Sequence, residues 1–144
     1  MLIAEILRNK DKGSGVVSVS PGESVAGLLT RLAADNIGAV VVMHDGRVVG
    51  IASERDIVRA LDRRGPELLG APVSDIMTTG VVTCTTEDTD DTLTVLMTEN
   101  RIRHVPVLNG GKLVGIVSIG DVVKSRISQL EQDRRQLEAY ITQG

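Results

Sequence analysis

Phenylalanine and tryptophan are absent from this 144-residue chain, and tyrosine occurs once, at position 140. Binders of single-stranded nucleic acid stack bases on aromatic rings, so that mode is disfavoured. Sixteen Lys and Arg against 19 Asp and Glu leave a net charge of −3, which gives no general electrostatic grip on a phosphate backbone. Cysteine also occurs once, as Cys84, which excludes an internal disulfide and a thiolate-rich metal site. With only His44 and His104 beside it, a zinc site of His and Cys is disfavoured, and no metal is expected. No apolar run approaches the roughly 20 residues of a membrane span, and the opening Met1-Leu2-Ile3-Ala4-Glu5-Ile6 is too short and too acidic for a signal peptide. A cytoplasmic location away from membranes is therefore expected. Apolar residues make up 42% and charged residues 24%, the composition of a folded globular protein rather than a disordered one.

What is present is a repeat. Sliding the chain by 65 positions aligns residues 15–59 with residues 80–124 without a gap. Val49-Gly50-Ile51-Ala52-Ser53-Glu54-Arg55-Asp56 answers Val114-Gly115-Ile116-Val117-Ser118-Ile119-Gly120-Asp121. Each copy is too short to bury a core comfortably alone, so the two are expected to fuse about an approximate twofold axis, with a ligand-sized cleft between them.

Each copy reads as strand, helix, strand, hairpin, strand, helix. Residues 16–19 form a short apolar strand. Ser20, Pro21 and Glu23 then have the spacing of a capping box opening a helix, buried through Val25, Leu28, Leu29 and Leu32. Thr85 and Asp88, followed by Leu93, Leu96 and Met97, repeat this logic. Strands are predicted over 39–43 and 48–52, and again over 105–108 and 113–117. Asp45-Gly46 and Asn109-Gly110-Gly111 are the hairpin turns, since these residues tolerate positive φ. A similar segment precedes each copy, Glu5-Ile6-Leu7 and Asp75-Ile76-Met77. Its offset is 70 rather than 65, so the first copy carries about five extra residues near 10–14, read as a flexible lip holding Lys10 and Lys12. The expected division is 1–61 for the first unit, 62–72 for an Arg-, Gly- and Pro-rich linker, 73–126 for the second unit and 127–144 for a helical extension. In that extension Val123, Ile127, Leu130, Leu137 and Ile141 approach a heptad seam interrupted by Arg134. It reads as a self-association helix, the alternative being a tail lying on its own domain. The fold class is thus α/β, two β-α-β-β-α units plus an extended C-terminal helix.

The paired Gly-Ile-x-Ser-x-x-Asp, with Asp75-Ile76-Met77, Arg103-His104-Val105-Pro106-Val107 and the Asn/Asp-Gly turns, resembles a tandem pair of CBS domains, the Bateman module. The likeness covers residues 6 to about 126. It implies a free-standing regulatory module, not an enzyme, that binds an adenosine compound such as AMP, ADP, ATP, S-adenosylmethionine or a dinucleotide such as NAD(H), and it implies a homodimer.

The residues themselves fit such a ligand. Ser53 and Ser118 stand where a strand yields to a helix, where free N–H groups and the positive dipole end favour phosphate. Asp56 and Asp121 lie on the same face and can accept both hydroxyls of a ribose. Ser-x-x-Asp is also a capping box, and the two roles are compatible. Gly50 and Gly115 clear space for a ligand or another backbone. Cations for phosphate are Arg55 near one aspartate and Arg103 with His104 near the other; Gly120 takes the place of Arg55 in the second copy. Lys10 could meet a second phosphate at the first site. With no aromatic available, adenine falls to aliphatic residues and main-chain amides: Val17, Val19, Ile37 and Gly38 on one side, Val82, Cys84, Val105 and Pro106 on the other. His104 is either a pH-sensitive phosphate contact or a structural histidine, His44 an exposed one, and Cys84 a small buried hydrophobe. Two other readings stay open: an adaptor with empty clefts that works through its last helix, and a nucleotide hydrolase using Asp56, Asp121 or His104. No Walker loop, and no nucleophile with an evident base, supports the second.

Overall fold

The computed structural model describes residues 1–10 and 18–143. In chain order its elements are α1 (Ile3–Asn9), β1 (Ser18–Val19), α2 (Val25–Asp35), β2 (Ala39–His44), β3 (Arg47–Ser53), α3 (Glu54–Arg64), β4 (Cys84–Thr85), α4 (Asp90–Asn100), β5 (His104–Asn109), β6 (Lys112–Ser118) and α5 (Ile119–Gln143). They form two three-stranded sheets, β1-β2-β3 and β4-β5-β6, each a parallel pair joined to an antiparallel hairpin. The mixed α/β architecture and the long last helix are those expected. Even the irregularities repeat: the hairpin register shifts between Val42 and Met43 and again between Val107 and Leu108. Both hairpins turn on two residues of positive φ, Asp45 and Gly46 in one, Gly110 and Gly111 in the other. That geometry matches the right-handed twist of the strands it joins.

Two expectations about the first helix of each copy are corrected. The caps are Ser24 and Thr89, four residues beyond Ser20 and Thr85. Ser24 Oγ accepts from the Gly27 amide at 3.0 Å, and Thr89 Oγ1 from the Thr92 amide at 3.2 Å. The earlier signals form turns instead, with the Thr85 amide donating to the Asp88 carboxylate at 2.8 Å. A distant segment decides the matter. The Val73 amide donates to the Glu23 carbonyl (2.7 Å) and the Val25 amide to the Ala71 carbonyl (2.9 Å), which holds residues 23–25 extended before the helix can begin. In the other half the Ile3 amide donates to the Asp88 carbonyl (2.8 Å) and the Asp90 amide to the Met1 carbonyl (3.0 Å). Leu29 was expected to be buried beside Val25, Leu28 and Leu32, but it is 44% exposed.

Those bonds reveal an exchange. The segment leading the first copy packs on the second: Ile3 and Ile6 of α1 are buried with Cys84, Leu93, Met97, Val105, Val107 and Val117. The segment leading the second copy packs on the first, with Val73 and Ile76 buried among Val25, Leu28, Val40, Val42 and Ile57. Residues 62–72 contribute too, since a 3₁₀ turn over Pro66–Gly70 buries Leu68 completely in the first core. Gly50 and Gly115 make room for the exchanged segments. A Cβ on Gly50 would fall 2.6 Å from Met77 Sδ and 3.1 Å from the Thr78 carbonyl oxygen, and one on Gly115 would fall 2.7 Å from Leu7 Cδ2.

Helix α5 buries Val122 and Ser125, and then leaves Ile127, Leu130, Leu137 and Ile141 each more than half exposed. The apolar stripe therefore does not lie on its own domain.

The glycine contacts predict an order of effects. Gly50→Ala, which meets a backbone oxygen, should cost about 1–3 kcal/mol of unfolding free energy. Gly115→Ala, which meets only the flexible end of Leu7, should cost less, and pairing it with Leu7→Ala should recover part of that loss. Urea denaturation of the three variants checks this; an uncoupled double variant would contradict the Leu7–Gly115 contact.

Candidate functional site

Each hairpin returns its chain to a corner where strand meets helix, and both corners are built alike. At the first, Asp56 Oδ2 accepts from the Ser53 amide (2.8 Å) and the Ser53 hydroxyl (3.0 Å), while Ser53 Oγ accepts from the Asp56 amide (3.2 Å). At the second, the Ser118 amide donates to Asp121 Oδ2 (2.9 Å), and the Asp121 amide to Ser118 Oγ (3.1 Å). The capping box is therefore real in both copies. It uses Oδ2 of each aspartate, and no hydrogen bond involves Oδ1 among the described residues.

The first corner opens onto a crevice of about 250 Å³ whose opposite wall comes from the other half. Ser53, Arg55, Asp56 and Arg59 line one side; Arg101, Arg103 and His104 line the other. Arg103 was expected beside Asp121, but it shares this crevice with Asp56, because the start of β5 lies across from the α3 corner of the opposite repeat. Gly38 lines the same crevice, where a Cβ would fall 3.4 Å from His104 Nε2 and 3.3 Å from Glu54 Oε1.

At the second corner lies a groove of about 350 Å³ between α1 and α5, lined by Lys10, Asp121, Lys124, Ser125 and Ser128 among others. Lys10 stands here and not at the first site. Its ammonium lies 2.9 Å from Asp121 Oδ2 and donates to the Ile116 carbonyl at 2.8 Å. The reason is backbone accounting. In the first half, Ile51 and Thr78 exchange two backbone hydrogen bonds, at 3.0 and 2.9 Å. In the second half the leading segment is helical up to Asn9, so the carbonyl of Ile116, the counterpart of Ile51, takes the lysine side chain instead.

Burial pushes the Asp121 carboxyl upward, but the Ser118 amide and the Lys10 ammonium outweigh it and hold the group below the usual carboxylate range. Burial lowers His104, and Lys10 and Arg103 lower it further; Asp121 and Glu54 pull it up without restoring it. The imidazole is thus neutral at neutral pH. Burial, with Asp88 nearby, pushes the Cys84 thiol up to about 11, which suits an inert core residue. His44 is exposed at its hairpin tip, as expected, 3.3 Å from the Asp45 carboxylate.

Of the residues expected to hold adenine, Gly38 lines the first crevice. Val19, Cys84 and Val105 have their side chains in the two cores, and Pro106 is buried. Ile37 and Val82 are half-buried, and Ile37 packs against the first core. Val17 and Lys12 lie outside the described residues. Gly120 sits in the first turn of α5, where a Cβ would meet only Ser118 Oγ at 3.6 Å. Arg59, Arg101 and Lys124 are crevice residues that the sequence reading did not assign to a ligand, although Arg101 stands out in it as a cation where the first copy has the neutral Asn36. The signal for Arg59 was its spacing, four residues after Arg55 on a helix and hence on the same face.

Residues 12–63 and 73–128 each match the family model of the CBS domain. The chain is 32% identical over 149 residues to the CBS domain-containing protein CBSX3, mitochondrial, of Arabidopsis thaliana, covering 99% of this chain and 72% of that protein. Among solved structures, a CBS-domain containing protein from Agrobacterium tumefaciens superposes with a TM-score of 0.82 at 46% identity, covering 88% of this chain and 99% of that one. A CBS domain protein from Pyrobaculum aerophilum, solved complexed with AMP, superposes with a TM-score of 0.73 at 30% identity, covering 84% and 89%. Among the described residues, no helix is long and apolar enough to cross a membrane.

The depressed His104 predicts a pH dependence of stability. The unfolded chain binds more protons than the folded one, so this contribution is complete above the unfolded value, near 6.5, and is lost as pH falls through the folded value. Wild-type protein should therefore lose more stability than His104→Asn between about pH 7 and about pH 5 in urea titrations. Parallel losses in the two proteins would contradict the assignment.

Proposed function

The chain belongs to the CBS-domain family as a tandem pair, and we propose that it is a non-enzymatic regulatory module that binds adenine nucleotides in the crevices between its halves. The observation that carries this reading is the doubled corner, in which a serine-capped helix start sits beside an aspartate whose Oδ1 takes no part in the cap. That oxygen can accept from a ribose diol while the helix N-terminus and nearby cations meet phosphate. Asp56 and Asp121 take the ribose. Ser53, Arg55, Arg103 and His104 serve phosphate in the first crevice; Ser118, Gly120 and Lys10 serve it in the second. Adenine lies against aliphatic side chains and main-chain amides. The AMP complex of the Pyrobaculum relative supports this choice of ligand class.

The regulatory role follows from where the ligand would sit. A nucleotide that touches both halves favours whichever arrangement of them it fits better, and it shifts nothing that it does not distinguish. At a hundredfold excess over Kd it adds about 2.7 kcal/mol to the folded state. We assign residues 1–61 and 73–126 to the two repeats, 62–72 to their connection and 127–144 to the extension, with the leading segments exchanged. The working unit in this reading is a homodimer. Its support is the apolar surface left open on equivalent faces, Val58 and Leu61 on α3 and Val123 and Ile127 on α5, continued by Leu130, Leu137 and Ile141.

AMP should raise the melting temperature more than 2′-deoxy-AMP, and Asp56→Ala with Asp121→Ala should erase that difference. Comparing the two sugars within each protein cancels the lost capping bonds. No shift with any adenylate at millimolar concentration would overturn the reading in favour of an adaptor.

For the dimer, sedimentation should give twice the chain mass, and Val58→Asp with Val123→Asp should halve it. A monomeric wild-type chain would refute this part alone.

A further inference from the structure

The two crevices differ in their cations: four arginines, with Glu54 and Asp56, line the first, and Lys10 and Lys124, with Asp121, line the second. Arg55 and Arg59, on one face of α3, line one side of the first crevice, and Arg101 and Arg103, from the turn between α4 and β5, line the other. Four arginines thus line a space of about 250 Å³ in a protein whose net charge is −3. Among the described residues none of the four forms an ion pair with a carboxylate. The sequence counterparts of these four are Gly120, Lys124, Asn36 and Gly38, of which Lys124 lines the second groove; Lys10, the other cation there, is paired with Asp121.

The backbone at Arg101 points the same way. Arg101 ends α4 in the left-handed region, with φ of 54°, and its counterpart Asn36 ends α2 with φ of 51°. Asparagine is among the few residues that adopt this conformation readily, and arginine is not. A strained position occupied by a residue that its conformation disfavours is a mark of function when its side chain reaches a site. This one lines the crevice.

Resting on the nucleotide reading above, we infer that the first crevice selects adenine nucleotides with two or more linked phosphates, and that Arg59 and Arg101 form the subsite for the phosphates beyond the first. Arg55, Arg103 and the Ser53 helix start meet the first phosphate. Arg59 lies one turn farther along α3, and Arg101 lies two residues before Arg103 on the opposing wall. A phosphate chain leaving the corner would pass between them, held by forked donors from both halves. AMP would leave these two side chains without a partner. The second crevice, lacking three of the four cations, would not discriminate in this way.

Calorimetric titration without divalent cations, using adenosine, AMP, ADP, ATP and inorganic tripolyphosphate, tests this. In wild-type protein ADP and ATP should bind more tightly than AMP by on the order of tenfold or more. Arg59→Gln with Arg101→Asn should abolish that gain and leave AMP affinity within about twofold, since charge-assisted bonds are lost only to the outer phosphates. Arg101→Asn installs the residue already found at the equivalent cap, so the variant should fold at least as stably, which its melting temperature without ligand verifies. Wild-type protein binding AMP as tightly as ATP, or the variant keeping its ATP preference, would overturn the inference and leave the nucleotide reading standing. Tripolyphosphate bound without any adenylate, or no binding at all, would overturn both.

Discussion

Neither three-stranded sheet of this chain is closed by the residues that immediately precede it. Ile3 and Ile6, at the start of the first copy, are buried in the second core, and Val73 and Ile76, at the start of the second, are buried in the first. Fully burying an aliphatic side chain of this size is favourable by about 1.5–3 kcal/mol, so each exchanged segment contributes on a scale comparable to the marginal stability of a small domain. Six matched backbone bonds, three per half, hold the exchange in register. Gly50 and Gly115 belong to the same constraint, because a side chain at either would occupy the volume filled by Met77 or Leu7. The halves are therefore interlocked, and the walls of the crevices are fixed by packing at a distance from them.

The interlock also makes the halves unequal. A segment carried across to the other copy brings its own side chains, and α1 brings Lys10 to Asp121. Its counterpart at the first corner is the backbone of Thr78, which is uncharged. One aspartate is thus balanced by an ammonium from a distant part of the chain, and the other faces arginines set on the opposing wall. His104 couples to both sides, lining the crevice of Asp56 while its charge state responds to Asp121 and Lys10. The two corners share one construction, and the different residues around them give them different chemistry.

What was legible in the sequence follows the range of the interactions involved. Strands and hairpins were readable because the apolar runs and the turn dipeptides Asp45-Gly46 and Gly110-Gly111 act within a few residues. Helix starts were misplaced by four residues because Ser20 and Ser24, like Thr85 and Thr89, are equally good caps locally. Bonds from residues 1–3 and 71–73 choose between them. The likeness of Glu5-Ile6-Leu7 to Asp75-Ile76-Met77 was visible, but a pairwise likeness carries no information on which core each segment enters. The site aspartates and serines were read correctly as corners, since a strand followed by Ser-x-x-Asp has a local meaning. Arg59 and Arg101 were not, because they meet across an interface that no local pattern describes. Val19, Cys84 and Val105 were assigned to a ligand where the cores needed them, since an apolar strand residue looks the same in both settings.

The long last helix gives the second corner a mechanical reach that the first lacks. Helix α3 ends at Arg64, ten residues after it begins, whereas α5 runs unbroken from Ile119 to Gln143. At 1.5 Å per residue, its 25 residues extend about 37 Å from the Ser118 cap. Its first two turns are held by Val122 and Ser125, and beyond Arg126, which pairs with Asp91 on α4, nothing else in the described chain is bonded to it. A rigid rod fixed only near its base converts any tilt at the base into a displacement that grows with distance. The base is the corner that holds Asp121 and, through it, Lys10. Any change at that carboxylate acts where the leverage on the exposed stripe Leu130, Leu137 and Ile141 is greatest.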